Sequence, residues 1–231
     1  MVFGAPTVFA AVAVQETQTG TADGSSTTLD MAAMNLASGS GVIACIGFEG
    51  GNSTINAITD TALNTYTLLT VLDFVNNASL HCGYTLSAIA HASNVVRFTL
   101  NAARTFRRGI AAEITHAGVL KFDVESTWTL DVTDLTPSSN AVNTTGTDEV
   151  CFAFLKDTTA QTFSSETING VARDARVLIS SDTVAWYRVL SATFSGGTSS
   201  LTRTVQPADW GQRMQCFKAV PGGVAQPIIF Q

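Results

Sequence analysis

Three histidines, His81, His91 and His116, and four cysteines, Cys45, Cys82, Cys151 and Cys216, have the widest chemical reach of any side chains in this chain. A Ser-His-Asp relay can be drawn from His116, Asp123 and any of many serines, and that freedom empties it of meaning, because a triad is defined by geometry and not by order. The serine-glycine runs at 38–41 and 195–197 lack the G-x-S-x-G form that presents a nucleophile, and they read as loops. The cysteines lie 37, 69 and 65 residues apart, too far for a chelating knuckle. Cys45 in VIACIGF, Cys151 in EVCFAF and Cys216 in RMQCFKA sit in apolar runs, where a thiol behaves as a small hydrophobe. Buried free thiols are therefore expected, with a disulfide as the alternative.

Asp60, Asp73, Asp131 and Asp134 do not fall into the D-x-[DN]-x-[DN]-G spacing of a calcium loop. The sequence thus predicts no catalytic residue, no metal and no cofactor. Trp128, Trp186 with Tyr187, and Trp210 offer flat apolar faces on which a sugar ring could stack. Trp186 and Tyr187 are the glycan-stacking candidates, against the more ordinary reading of these aromatics as core or interface filling. Arg104, Arg107 and Arg108 form the one basic cluster, expected to pair with Asp and Glu of a neighbouring strand or subunit.

These groups stand on a chain of 231 residues with few charges. Charged residues make up 13%, against ~25% in an average soluble protein, while 45% are hydrophobic. That balance excludes a disordered tail, a coiled coil and a polybasic arm. Only three residues are Lys, and the net charge is −6, so no nucleic-acid partner is expected. The segment from Met1 to Val14 is apolar but has no basic residue ahead of it, and Pro6 interrupts it, so a cleaved leader is not expected. No other stretch approaches the ~18 apolar residues of a membrane span, and the expectation is a soluble chain with no membrane partner.

The elements read as β throughout. Thr occurs 32 times and, with Val, Ile and Phe, fills segments that alternate by twos. The predicted strands are Val42–Phe48, Thr65–Leu72, Cys82–Ala90, Val95–Leu100, Arg108–Thr115, Glu149–Leu155, Arg176–Ile179, Ala185–Thr193, Ser199–Val205 and Arg213–Ala219. Gly, Asn, Asp and Ser clusters separate them as turns. Asp30–Ala37 is compatible with a short helical turn capped by Asp30. The runs Val42 to Ile46 and Val150 to Leu155 are continuously apolar, so those strands should be central and covered on both faces. They also echo one another: GVIACIGFEGG opens a first half ending near FRRGIAAEITHAG, and DEVCFAFLKD opens a second ending at QRMQCFKAVPGG. The expected fold is all-β, a two-sheet antiparallel sandwich, jelly-roll-like, forming a single domain over residues 1–220 with an apolar N-terminal segment 1–14.

Beyond it, Pro221, Gly222, Gly223 and Pro227 break regular structure, so 221–231 should leave as an extended arm. Phe3, Phe9, Ile228, Ile229 and Phe230 are the candidate subunit contacts, because apolar chain ends fray unless something holds them.

The succession GVIACIGFEGG, INAITDTALNTYTLL, CGYTLSAIAHASNVVRFTL, FRRGIAAEITHAGVLKFD, TDEVCFAF and YRVLSATFSGGTSSLTRTV resembles β-sandwich domains of tailed-phage virion proteins, also seen in bacterial surface proteins. The most distinctive piece is the hairpin from Ile58 to Thr67, similar to the family's VTDSAGNTYT turn but with Leu63 where Gly is usual. The resemblance spans about residues 40 to 220. It implies a virion structural protein, a decoration, cement or spike subunit on the particle exterior that acts by binding and is not an enzyme. Its implied partners are itself, as a homo-oligomer such as a trimer, and other virion proteins such as the major capsid protein. The rival reading is a carbohydrate- or receptor-binding module of a tail fibre or surface adhesin, using Trp186 and Tyr187. A hydrolase acting on envelope polysaccharide ranks last, since it needs two carboxylates at a separation that sequence does not reveal.

Overall fold

A computed structural model describes residues 11–50, 53–73, 78–127, 129–131, 134–204 and 209–222. The first half of the chain supplies β1 (Val12–Ala22), β2 (Ser26–Asp30), β3 (Met34–Leu36), β4 (Gly41–Glu49), β5 (Ile55–Asp60), β6 (Thr67–Leu68), β7 (Leu72–Asp73), β8 (Ala78–Thr85), β9 (His91–Asn94) and β10 (Val96–His116). The second supplies β11 (Val119–Glu125), β12 (Thr129–Asp131), β13 (Glu149–Asp157), β14 (Ser164–Ile168), β15 (Val171–Ala172), β16 (Ala175–Ser180), β17 (Thr183–Leu190), β18 (Ser199–Thr202) and β19 (Trp210–Val220). Among the described residues there is no helix. Asp30–Ala37 contributes the end of β2 and all of β3 instead of a helical turn, because Met31, Met34 and Leu36 are drawn into an apolar core.

The predicted all-β, two-sheet antiparallel sandwich is what forms. One main sheet runs β1-β10-β4-β8-β6 and the other β11-β19-β13-β17-β16, with two small sheets, β15-β14-β18 and β3-β9, besides them among the described residues. The internal echo is thus a repeat of topology: in each half the first strand pairs with the last, the last with the apolar central strand, and so outward. The likeness to a jelly roll lies in two sheets packed face to face, while the chain path keeps each half to its own sheet.

Alternation along the central strands builds three cores. On β4, Ile43 and Cys45 point between the sheets, whereas Val42, Ala44, Ile46 and Phe48 point outward. On β13, Val150, Phe152 and Phe154 point between the sheets, and Cys151, Ala153 and Leu155 outward. Each outer face is then covered by more of its own half: Leu29, Met34, Leu36, Ile58 and Phe98 over β4, and Phe163, Ile168, Trp186, Leu201 and Trp210 over β13. Both strands are covered on two faces, as their unbroken apolar runs required.

The 21-residue β10 serves two layers. Its start pairs with β2 and β5 in the outer cover, and its end with β1 and β4 in the main sheet. Register shifts between Thr99 and Arg108 mark the bend, as expected where extra residues kink a strand. Sequence reading divided this strand in two at the polar stretch Asn101–Phe106. It also missed, among others, β1, β5, β11 and β14, whose exposed polar positions such as Gln15, Asn56, Lys121 and Ser164 weaken the apolar signal.

All four cysteines are bonded, Cys45 to Cys82 and Cys151 to Cys216, which overturns the expectation of free thiols. In each pair the residues are direct ladder partners, Cys45 on β4 opposite Cys82 on β8 and Cys151 on β13 opposite Cys216 on β19. Strand register decides this, and sequence spacing does not display register. The halves differ here: the first disulfide faces the core between the sheets, the second the outer core.

Candidate binding surface

The turn from Ile58 to Thr67 is built around one carboxylate. Asp60, at the end of β5, is buried and accepts hydrogen bonds from Asn64 N at 2.8 Å, Asn64 Nδ2 at 2.8 Å, the Tyr66 hydroxyl at 2.9 Å and Asn94 Nδ2 at 3.2 Å. Burial, reinforced by the Asp60 charge, pushes the Tyr66 phenol far above its usual range, so it stays a donor. Asn94 Oδ1 in turn accepts from Ala62 N at 3.0 Å. A buried carboxylate with this many donors fixes a turn as firmly as a short ladder would.

What the clasp holds out is Leu63. Its φ is +63°, in the left-handed region that a Gly adopts without cost, and the residue is 84% exposed. For a residue with a Cβ this conformation costs about 1–2 kcal/mol. Ile89, 57% exposed, stands beside it, since Asn64 Oδ1 accepts from Ile89 N at 2.8 Å. Next to this apolar tip a shallow groove of about 430 Å³ is lined by Asp30, Thr59, Asp60, Thr61, Val95 and Arg97. Arg97 grips Asp30 there through two hydrogen bonds of 2.6 Å, and Arg97 holds the Asp30 carboxyl below its ordinary range. A surface with two apolar knobs and a fixed ion pair can recognise a partner by shape and charge.

The other sequence candidates fall in different places. Trp186 is fully buried, with its Nε1 donating to Thr167 O at 3.1 Å, so no sugar can stack on it; the glycan-stacking assignment is corrected to core filling. Tyr187 is half-buried and packs on Phe152 with ring centroids 5.3 Å apart. Trp210 is buried too, and Trp128 lies outside the described residues. The subunit-contact candidates Phe3, Phe9, Ile228, Ile229 and Phe230 also lie outside the described residues, while the end of the apolar segment, from Val12, belongs to β1.

His116 Nε2 contacts Gly39 O at 2.9 Å, and Asp123 is engaged by Lys218 Nζ at 2.5 Å and by Thr145, so the two sit in separate hydrogen-bond sets. His81 is buried against Phe48, with ring centroids 5.6 Å apart. Asp134 caps its own turn through Thr136 N at 2.7 Å. Among the described residues no three His, Cys, Asp or Glu side chains converge as metal ligands. Of the arginines, Arg108 bridges Asp23 at 2.6 Å and Asp182 at 3.6 Å, tying the first half to the second. Arg107 departs from the expected ion pairing and donates to the backbone carbonyls of Thr28 and Gly24.

Sequence reading noted Leu63 as a departure from the family turn but did not make it a site residue. The signal was a bulky residue in a Gly position of a turn. Compared with protein-family models, with curated proteins and with solved structures, the chain matches none.

Proposed function

We propose that this protein is a structural subunit of a virus particle, a decoration, cement or spike protein on the exterior of a tailed phage, acting by protein-protein binding. The observation that carries the reading is Leu63, held in a strained backbone and almost fully exposed by a clasp of buried polar groups. A fold that only had to be stable would place Gly there, so the strain is understood as the cost of presenting an apolar contact. The chain's resemblance to phage β-sandwich domains and its acidic, Lys-poor composition support the same reading. Two disulfides suit a protein that works outside a reducing cytosol.

Binding by this surface is measured from the oligomer mass of the purified chain across a concentration series, by light scattering after gel filtration. Burying Leu63 and Ile89 at an interface contributes roughly 1.5–3 kcal/mol each before ordering costs. Leu63→Gly and Ile89→Ser should therefore each weaken assembly about tenfold or more, and removal of 222–231 should weaken it further if the apolar arm also engages a neighbour. A chain that stays monomeric at every concentration and binds no virion protein, with both variants indistinguishable from the parent, would defeat the reading.

A further inference from the structure

At the far side of the second sheet lies a pair of carboxyl groups that the binding surface does not use. Asp123, on β11, has a side chain only 3% exposed, and its oxygens accept from Lys218 Nζ at 2.5 Å, Thr145 N at 2.7 Å and the Thr145 hydroxyl. Glu149 opens β13 and is fully buried. Neither of its oxygens meets a donor at full hydrogen-bond geometry, and its neighbours are the Asp123 carboxylate, the Thr144 hydroxyl and the Lys218 ammonium. The loop 143–147 closes over this group: a Cβ on Gly146 would lie 2.6 Å from Lys218 Cβ and 3.5 Å from Glu149 Cδ.

The elements packed around the pair leave little to compensate a second negative charge. Strand β11 brings Asp123 and, further out, the exposed Lys121 opposite Lys218; β19 brings Lys218; β17 brings only Leu190 opposite Glu149. Lys218 is already committed to Asp123 and Thr145. Two buried carboxyls with one ammonium nearby, which pairs with Asp123 and leaves Glu149 without a cation in contact, are stable when they hold a single proton between them, Glu149 donating and Asp123 accepting.

We infer that Asp123 and Glu149 form a proton-operated latch, which fastens edge strand β11 and the loop 143–147 onto β19 and β13 while the pair shares one proton and loosens them when that proton leaves. The edge it fastens includes the end of β19, where Lys121 and Phe122 of β11 pair with Lys218 and Phe217. Burial, then the Asp123 charge, pushes the Glu149 carboxyl up to about 8, which places the release in mildly alkaline solution. Burial also opposes the Asp123 charge, but its bonds to Glu149, Lys218 and Thr145 outweigh that and hold it well below the ordinary range, so Asp123 remains the acceptor throughout.

Hydrogen exchange of the intact chain from pH 6 to 10, corrected for intrinsic rates, tests the latch. Protection of amides 119–125 and 143–148 should fall about tenfold per pH unit above a midpoint of about 8, while β4 and β8 keep theirs. Glu149→Gln keeps a donor to Asp123 without an ionisable proton and should remove the alkaline loss. Asp123→Asn should lower the Glu149 midpoint, while burial keeps it above the ordinary carboxyl range. Should Glu149→Gln fail to fold, the carboxyl carbon-13 titration of Glu149 in the unmodified chain decides. A midpoint in the ordinary carboxylate range, or an unchanged alkaline loss in Glu149→Gln, would overturn the inference.

Discussion

In the first half the last strand, β10, lies between β1 and β4; in the second the last strand, β19, lies between β11 and β13. The same path is followed twice, yet the interiors differ. The outer core of the first half is aliphatic and aromatic, and its buried carboxylates Asp60 and Glu113 accept from neutral donors. The second half buries ions: Arg203 on Asp157 at 2.7 Å, both fully buried, Glu166 between Arg173 and Arg176, and Arg213 on Glu125. Between the halves Lys156 reaches Asp182 at 3.0 Å, and its stem lies against Gly47, where a Cβ would come within 2.9 Å of Lys156 Cβ. Burial raises the Asp182 carboxyl, but Lys156, Ser180 and Thr183 outweigh it and hold it below the ordinary range. A strand order can thus be repeated while one copy is stabilised mostly by apolar burial and the other by apolar burial plus matched charge.

The sharpest way to break the comparison is to remove one member of the buried pair. Arg203→Ala leaves the Asp157 carboxylate without its guanidinium and should cost about 3–5 kcal/mol by denaturant unfolding. Phe98→Ala, in the apolar cover of the first half, should cost about 3–5 kcal/mol through the cavity it leaves. A cost below about 1 kcal/mol for Arg203→Ala would erase the distinction between the halves.

Disulfide removal separates the halves less strongly. Replacing Cys45 and Cys82 by Ala, or Cys151 and Cys216 by Ala, should each cost about 2–4 kcal/mol, measured as the shift in denaturation midpoint. The sequence separations are 37 and 65 residues, so loop entropy makes the second removal the costlier by only about 0.5 kcal/mol.

The pH dependence of the intact chain follows from the second half. Glu149 has its carboxyl raised by burial and by Asp123, so its contribution to stability is complete below the ordinary carboxylate range and is lost as pH rises through about 8. Asp123 is depressed, and its contribution is present above the ordinary range and lost in strong acid. Stability should therefore peak in mildly acidic solution, and thermal melts from pH 3 to 9 would show it; a curve still rising at pH 9 would contradict the assignment of the proton. The smallest effect belongs to the binding tip: Leu63→Gly should stabilise the monomer by up to about 1 kcal/mol, strain relief being offset in part by the entropy of the unfolded glycine.

Much of the fold was legible before any coordinates. The runs at Val42–Ile46 and Val150–Leu155 announced strands covered on both faces, because an unbroken apolar strand needs two apolar surfaces to pack on. The echo of the two halves was visible for the same reason. The site was legible only as an anomaly, a Leu where the turn favours Gly. The weak strands β1, β11 and β14 escaped notice because their polar faces carry too little periodic signal.

The order of residues alone determined the β class, the turns and the two central strands, since alternation by twos is a local property written in neighbouring residues. Tertiary structure alone decided which cysteine meets which, that Trp186 is sealed inside, that Glu149 rests against Asp123, and that Leu63 faces outward in a left-handed turn. Each of these depends on register or on residues tens of positions apart, and a one-residue slip in pairing would turn every one of those side chains to the opposite face.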